Sequence, residues 1–488
     1  MEYLLPLDVW KIIFDYLNIT SQFRLRAVCK RFYNHLHILH LNTYRLSQLM
    51  KKSCNDEVLA KMTNLKSLYL YKCKISTFAH LTNLQGLTLL SNYPETNIEK
   101  LYNLERLYLR DTTNFANLNH LSKLTELSVD KTSTIFDDNL EKITTLKSLK
   151  ILASACRNLS PRLANLQTII VWTVTGENTD KLSYLTNLRY LSFFTYQNNF
   201  TITNLTKLEH LSISIGGDNS EVDFRNLDNL TELISDYNHL KFDNISHLTK
   251  LEVLSVQEVD GLNKISLLTN LKYLNNAGGN IENDEILALT NLVELDVTAN
   301  KYITNLNNLN KLRILALGEQ KLSHEGFRNL TDLVELALYN NPIEDLNSYK
   351  NLRILKILKH CYFYNENKNK HLKSGSISSL TNLHTLHIKF NEISIIKDLT
   401  NLTFLDICEC PIRNDQLKNL TKLKCLQMSR NNYITDINHL INLTRLEVGG
   451  NVLLNYEGFK ELSNLEELHI QRRLNSEQLK KFKHLRED

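Results

Sequence analysis

The chain reads as an α/β solenoid: a curved array of short parallel strands on the concave face, preceded by a small helical head. Two observations predict this. From residue 62 one phrase recurs, Leu-Thr-Asn-Leu-x-x-Leu-x-Leu with small variations, and it runs almost to the end of the chain. The first 36 residues lack that phrase and instead space their apolar residues as helices do.

Each repeat is indexed by the leucine that precedes its final Leu-x-Leu. The anchors are Leu65, Leu84, Leu104, Leu124, Leu146, Leu166, Leu188, Leu208, Leu230, Leu251, Leu271, Leu292, Leu312, Leu333, Leu352, Leu383, Leu402, Leu423, Leu443 and Leu465. They lie 19 to 22 residues apart, except for 31 between Leu352 and Leu383. In Leu-x-Leu the two leucines point inward from a strand and the middle residue points out. One repeat cannot bury its own leucines. Stacked repeats can, with each fully buried side chain contributing roughly 1.5–3 kcal/mol. So short a period leaves room on the outer face for short helices or 3₁₀ turns only. The pattern resembles the leucine-rich repeat family, whose periods it matches.

Three positions beyond the last leucine of the phrase stands Asn at 92, 238, 300, 341, 391, 431 and 451, and Cys at 73 and 410. In the resembled family a buried amide here bonds the backbone of neighbouring turns, which loop groups inside a stack require. Cys73 and Cys410 then read as substitutes in that ladder. Val174, Tyr196, Gly216 and Val259 break it, so the middle of the array is expected to be less regular. Sequons such as Asn244-Ile-Ser and Asn401-Leu-Thr fall within the repeat wording and are read as its by-products.

The head begins Leu5-Pro6. Proline fits the first turn of a helix, where a missing N–H costs nothing. Val9, Ile12, Ile13, Tyr16 and Leu17 then form one apolar stripe. Thr20 or Ser21 can cap a second helix, carrying Leu25, Val28 and Cys29, and Phe32, Tyr33 and Leu36 mark a third. Three helices in about 40 residues make a core too small to stand alone. The Leu5-Pro6 opening, Asp8, the stripe and the Val28-Cys29-Lys30-Arg31-Phe32 run resemble an F-box, with Asp8 where that family more often has Glu. The resemblance implies docking of Leu5, Pro6, Val9, Ile12, Ile13 and Leu17 onto a Skp-type adaptor, and through it onto a cullin–RING ligase. The expected organisation is 1–40 F-box, 41–61 helical connector or N-terminal cap, and 62–488 repeats, with an insertion at 359–375.

Composition narrows the function classes. The 488 residues carry 57 basic and 53 acidic side chains, a formal charge of +4, too balanced to imply nucleic acid or an anionic membrane. No apolar run is long enough to span a bilayer, and the N-terminus lacks the basic n-region of a signal peptide. Eight scattered cysteines then read as reduced thiols of an intracellular protein.

No cofactor or metal is expected. Cys408-x-Cys410 should place one thiol outward and one inward, which rules out a shared zinc ion. His387 and Asp406 should lie on adjacent strands with Cys408 nearby, but a flat face offers no pocket for nucleophilic catalysis. Thirteen glycines leave little room for a phosphate loop. The chain is therefore read as a non-enzymatic substrate receptor of a Skp–cullin–F-box type ubiquitin ligase; the competing reading is a repeat scaffold or inhibitor with no ubiquitin role. The target protein would bind outward strand residues. Two groups are candidates, Tyr69, Tyr71, Arg106, Tyr108 and Arg110, and Ile170, Trp172, Tyr190 and Phe194, rich in the side chains that dominate interfaces. The competing reading for both is ordinary strand-forming aromatics.

Overall fold

A computed structural model of the chain describes residues 21–22, 37–43, 55–90, 98–110, 118–130, 142–156, 162–174, 181–196, 201–216, 220–235, 240–241, 245–256, 262, 264–318, 322–339, 343–358, 372, 375–451, 453–470, 474–482 and 485. It falls into two compact units, 1–230 and 231–488. A strand begins two residues after every leucine anchor, in both units.

The first unit contains β1 (His40–Asn42), β2 (Ser67–Leu70), β3 (Gly86–Leu89), β4 (Arg106–Arg110), β5 (Glu126–Asp130), β6 (Ser148–Cys156), β7 (Thr168–Val174), β8 (Tyr190–Thr195) and β9 (His210–Ile215). Consecutive strands pair in parallel, each leucine beside its counterpart, as Leu68 beside Leu87 and Leu87 beside Leu107. Burial alternates along β4, β5, β8 and β9, so the anchor and both leucines of Leu-x-Leu form the core and the residues between them form an open face. The ladders β6–β7 and β7–β8 carry register shifts, between Ile151 and Ala155 and between Val171 and Val174. These are the repeats where the buried amide is missing, as their sequence predicts.

β1 is a strand at the start of the segment expected as a helical connector or N-terminal cap, whose residues 44–54 lie outside the described residues. His40–Asn42 is a strand that pairs with Ser67–Tyr69. Ile38, Leu41 and Thr43 take the three inward positions of a repeat and are all buried. Thr43 replaces the last leucine, which hid the pattern. Its hydroxyl accepts from the Tyr71 N–H at 2.8 Å and donates to the Tyr69 carbonyl at 3.1 Å, closing the end of β2. The connector does hold one short helix, Asp56–Ala60, whose first turn is capped by Asn55.

The second unit repeats the scheme. Its parallel strands run from Glu232–Ser235 to Glu467–Ile470. Helical returns are short in both units: 3₁₀ turns at Ile98–Lys100, Ile265–Leu267, His324–Gly326 and Tyr456–Gly458, and single helical turns at Asn283–Leu287 and Asn414–Leu417.

Two asparagine ladders hold the turns together. The inner one was predicted. The Asn431 amide donates to the Cys410 and Ile412 carbonyls (2.9 and 3.2 Å), and its oxygen accepts from the Tyr433 and Ile434 N–H groups (3.0 and 3.2 Å). Asn300 is buried in the same role, Asn391 is buried but donates chiefly to the Lys389 carbonyl of its own repeat, and the Cys410 thiol bonds the Ile388 carbonyl. Asn92, Asn238 and Asn341 lie outside the described residues. At one repeat the amide has moved. Asn276, fully buried, occupies the inward position usually held by leucine and donates to the Val256 carbonyl at 2.9 Å. The ladder position itself is Gly279, where a Cβ would stand 2.0 Å from the Asn276 side-chain oxygen. Bulk and amide have exchanged places.

The outer ladder explains the Leu-Thr-Asn-Leu wording. In each repeat its asparagine donates to the carbonyl one turn back: Asn83 to Thr63, Asn103 to Thr82, Asn270 to Thr249, Asn291 to Thr269, Asn401 to Thr381 and Asn442 to Thr421, at 2.8 to 3.0 Å. Where lysine replaces that asparagine, its ammonium donates instead to the amide oxygen of the preceding repeat, as Lys123 to Asn103 and Lys422 to Asn401, both 2.7 Å.

Candidate functional site

In the first unit the open strand face carries a concavity of about 780 Å³. Its floor is small: Ser67, Gly86, Thr88, Ser128, Ser148 and Thr168. The short side chains leave room for larger neighbours. Tyr69 and Tyr108 stand on either side of Thr88 in register. A Cβ on Gly86 would come 3.8 Å from the Arg106 Nε, an ordinary contact, so that guanidinium lies close beside β3 at Gly86. Arg110 pairs with Asp130 at 3.4 Å. Tyr71, just beyond β2, lies beneath the Lys72 ammonium, 5.2 Å from its ring centre. The structure thus brings Tyr69, Arg106, Tyr108 and Arg110 onto one face and sets Tyr71 at its edge. Lys147 and Lys150 line the same concavity and were not singled out in the sequence. Lys150 occupies the outward middle of a Leu-x-Ile triplet, which was the available signal.

The second candidate group continues the face over β7 to β9. Trp172 is 68% exposed. Ile170 lies beside Ser192, and Tyr190 beside His210 with ring centres 5.7 Å apart. Phe194 meets Tyr196 edge to face at 4.7 Å. Tyr196, which sequence spacing assigns to the inner ladder, is in fact 69% exposed, because β8 runs extended through Thr195 and the ladder turn is not made. Gly216 takes the matching place one repeat on. A Cβ there would meet the Tyr196 ring at 2.8 Å and the Phe194 ring at 3.0 Å. The ring pair rests on the glycine, and bulk against absence at equal repeat positions was its sequence signal.

The second unit places His387 beside Asp406, as their spacing requires, with Nδ1 3.4 Å from the carboxylate. Sequence reasoning missed the stronger partner. The Lys389 ammonium lies 3.1 Å from the same carboxylate, two residues along the strand direction. Asp406 is buried. Burial pushes its pKa up, but hydrogen bonds from His387, the Cys408 thiol and Lys389 outweigh this and hold it below the usual value. Burial foremost, and then the Asp406 carboxylate, push the Cys408 thiol up to about 12. Both Cys408 and Cys410 are buried, which corrects the expectation that one faces out. The strand ends at Asp406, and Glu409 turns left-handed at φ 58°, so alternation no longer applies. The arrangement is an ion-pair cluster around an inert thiol. Among the described residues no group of His, Cys, Asp or Glu is placed to hold a metal ion, and no helix is long and apolar enough to cross a membrane.

Leu5, Pro6, Val9, Ile12, Ile13 and Leu17 lie outside the described residues, as does most of the 359–375 insertion. For the head the decisive observation is a family match: residues 3–44 match the F-box domain. Residues 3–44 are thus similar to an F-box, and the strands after them form a solenoid of the leucine-rich-repeat kind. The F-box match overlaps β1 at its C-terminal end. The array is similar to an LRR protein of Leptospira interrogans, with a TM-score of 0.54 and 23% identity over 71% of this chain and 96% of that one. Among curated proteins it is similar to Toll-like receptor 3 of Boselaphus tragocamelus, 28% identical over 331 residues, and to Toll-like receptor 8 of Homo sapiens, 25% identical over 207 residues. These stretches cover 63% and 38% of this chain but only 33% and 18% of the two receptors, so the chain spans no more than a third of either.

Proposed function

We propose that this protein is the substrate-recognition subunit of a Skp–cullin–F-box type ubiquitin ligase. The observation that carries the reading is the F-box at residues 3–44 joined to a repeat array whose strands expose a long, open face. In this reading Leu5 and Pro6 open the adaptor-binding surface, and Val9, Ile12, Ile13 and Leu17 supply or support its apolar stripe. The target protein sits on the strand face of the first unit, against Tyr69, Arg106, Tyr108 and Arg110 on one side and Ile170, Trp172, Tyr190 and Phe194 on the other, with Tyr71 at the rim. No residue of this chain forms or breaks a bond in the reaction. The receptor acts by holding its target beside a charged conjugating enzyme carried by other subunits, raising its effective concentration there.

Co-purification with a recombinant Skp-type adaptor tests the assignment. The wild-type chain is expected to retain the adaptor and the Leu5→Ala/Pro6→Ala variant to lose it, with the array's thermal melting unchanged. A wild-type chain that retains no adaptor overturns the reading and leaves a repeat scaffold without a ubiquitin role.

A further inference from the structure

The strand face of the first unit changes chemistry along its length. The concavity over β2 to β7 is lined by three basic side chains, Arg106, Lys147 and Lys150, against one carboxylate, Glu126. Among the described residues no carboxylate lies within ion-pair distance of Arg106, Lys147 or Lys150. The charged groups at its edges, by contrast, are already paired, Arg110 with Asp130 and Arg189 with Glu209. Beyond the concavity, the described parts of β7 to β9 carry no acidic or lysine side chain, and their open face is aromatic and hydroxylic. The boundary is sharp: Lys150 and Ile170 are direct neighbours in the β6–β7 ladder.

We infer that this face takes an extended acidic–aromatic peptide segment, its carboxylates on Arg106 and Lys150 and a bulky apolar side chain on the Trp172–Phe194 shelf. The inference rests on the reading above that this face receives the target. Charge complementarity sets the acidic end, since unpaired basic groups on a rim attract and orient an oppositely charged partner. The aromatic shelf sets the other end. Trp172 and Tyr196 are large, exposed rings, and the Phe194–Tyr196 pair is held in place over Gly216, so little side-chain freedom is lost when a ligand covers it.

Register sets the spacing. Arg106, Glu126, Ser148, Thr168 and Tyr190 form one row across β4 to β8. Four steps of ~4.8 Å make about 19 Å across the strands. Phe194 lies four residues, about 13 Å, beyond Tyr190 on β8. An extended chain therefore crosses from Arg106 to the shelf in roughly seven residues at ~3.3 Å each. A nucleic acid fits less well. Its evenly spaced phosphates would follow the same row past Glu126, and repulsion there would offset the basic contacts.

Fluorescence anisotropy on the full chain tests this with four labelled probes. The first is a peptide bearing Asp-Asp and, about seven residues on, Phe-Phe in a Gly/Ser/Thr background. The second replaces the Asp pair by Lys, the third replaces the Phe pair by Ala, and the fourth is a short oligothymidine. The first probe is expected to bind at least about tenfold more tightly than the other three. Arg106→Glu/Lys150→Glu is expected to reverse the Asp–Lys preference, and Trp172→Ala to remove the Phe–Ala preference while leaving the charge preference. Circular dichroism confirms that both variants fold. Equal or tighter binding of the lysine peptide or the oligonucleotide, indifference to both variants, or no peptide binding overturns the inference. The adaptor is absent from this assay, so its outcome is independent of whether residues 3–44 engage one.

Discussion

Replacing Asn431 by Ala should damage this fold far more than replacing Asn442, although the two residues are eleven positions apart and of the same type. The Asn431 side chain is fully buried and serves four backbone groups, the Cys410 and Ile412 carbonyls and the Tyr433 and Ile434 N–H groups. Truncation strands all four inside the stack. At roughly 1 kcal/mol for each hydrogen bond lost, the cost is about 4 kcal/mol. Asn442 makes one exposed bond, to the Thr421 carbonyl, whose loss water can compensate, so its truncation should cost about 0.5–1 kcal/mol. Hydrogen exchange followed by mass spectrometry reads both locally. Asn431→Ala should speed exchange of peptides spanning 410–434 by roughly three orders of magnitude, at tenfold per 1.4 kcal/mol. Asn442→Ala should change its own segment by about fivefold or less. Similar exchange rates in the two variants would refute the account of the inner ladder as the turns' internal hydrogen-bond source.

The Asp406 cluster gives a pH dependence and the neighbouring thiol a reactivity. The folded-state pKa of Asp406 lies below its usual value, so its contribution to stability is present above about pH 4 and is lost as pH falls through the lower folded value. Asp406→Asn should therefore lower the urea midpoint at pH 7 and narrow its difference from wild type as pH drops below about 4; a difference independent of pH would contradict this. Because burial and the adjacent carboxylate push Cys408 up to about 12, alkylation at pH 8 with peptide-resolved mass spectrometry should leave it unmodified in the folded chain and modify it after denaturation. Rapid native labelling would show that the thiol is neither buried nor raised.

Much of the fold was legible because one physical requirement, burial of three apolar groups per turn, is written in one residue type at fixed spacing. Every leucine anchor is followed by its strand. β1 escaped notice because Thr43 stands where that residue type was expected, and the hydroxyl satisfies the turn by hydrogen bonding instead. The outer ladder was in plain view as Leu-Thr-Asn-Leu but reads as wording until the asparagine's partner, one turn back in space, is known. The exchange of Asn276 and Gly279 needs three dimensions, since each residue alone violates the pattern and only together do they keep it. At the candidate site, outward residues could be named from alternation on the strands. Alternation failed just past a strand end at Cys408, where the backbone turns, and the ladder spacing failed at Tyr196, where the strand stays extended. The basic groups Lys147 and Lys150 were passed over because charge on an outward strand position is ordinary; the concavity that gathers them with Arg106 is a property of the sheet.

Light scattering coupled to size-exclusion chromatography, on the chain mixed with a recombinant Skp-type adaptor, tests the central claim most directly. The account predicts one adaptor per chain for wild type and for Trp172→Ala, and free components for Leu5→Ala/Pro6→Ala. No complex with wild type, or a complex that survives the Leu5→Ala/Pro6→Ala change, would contradict it.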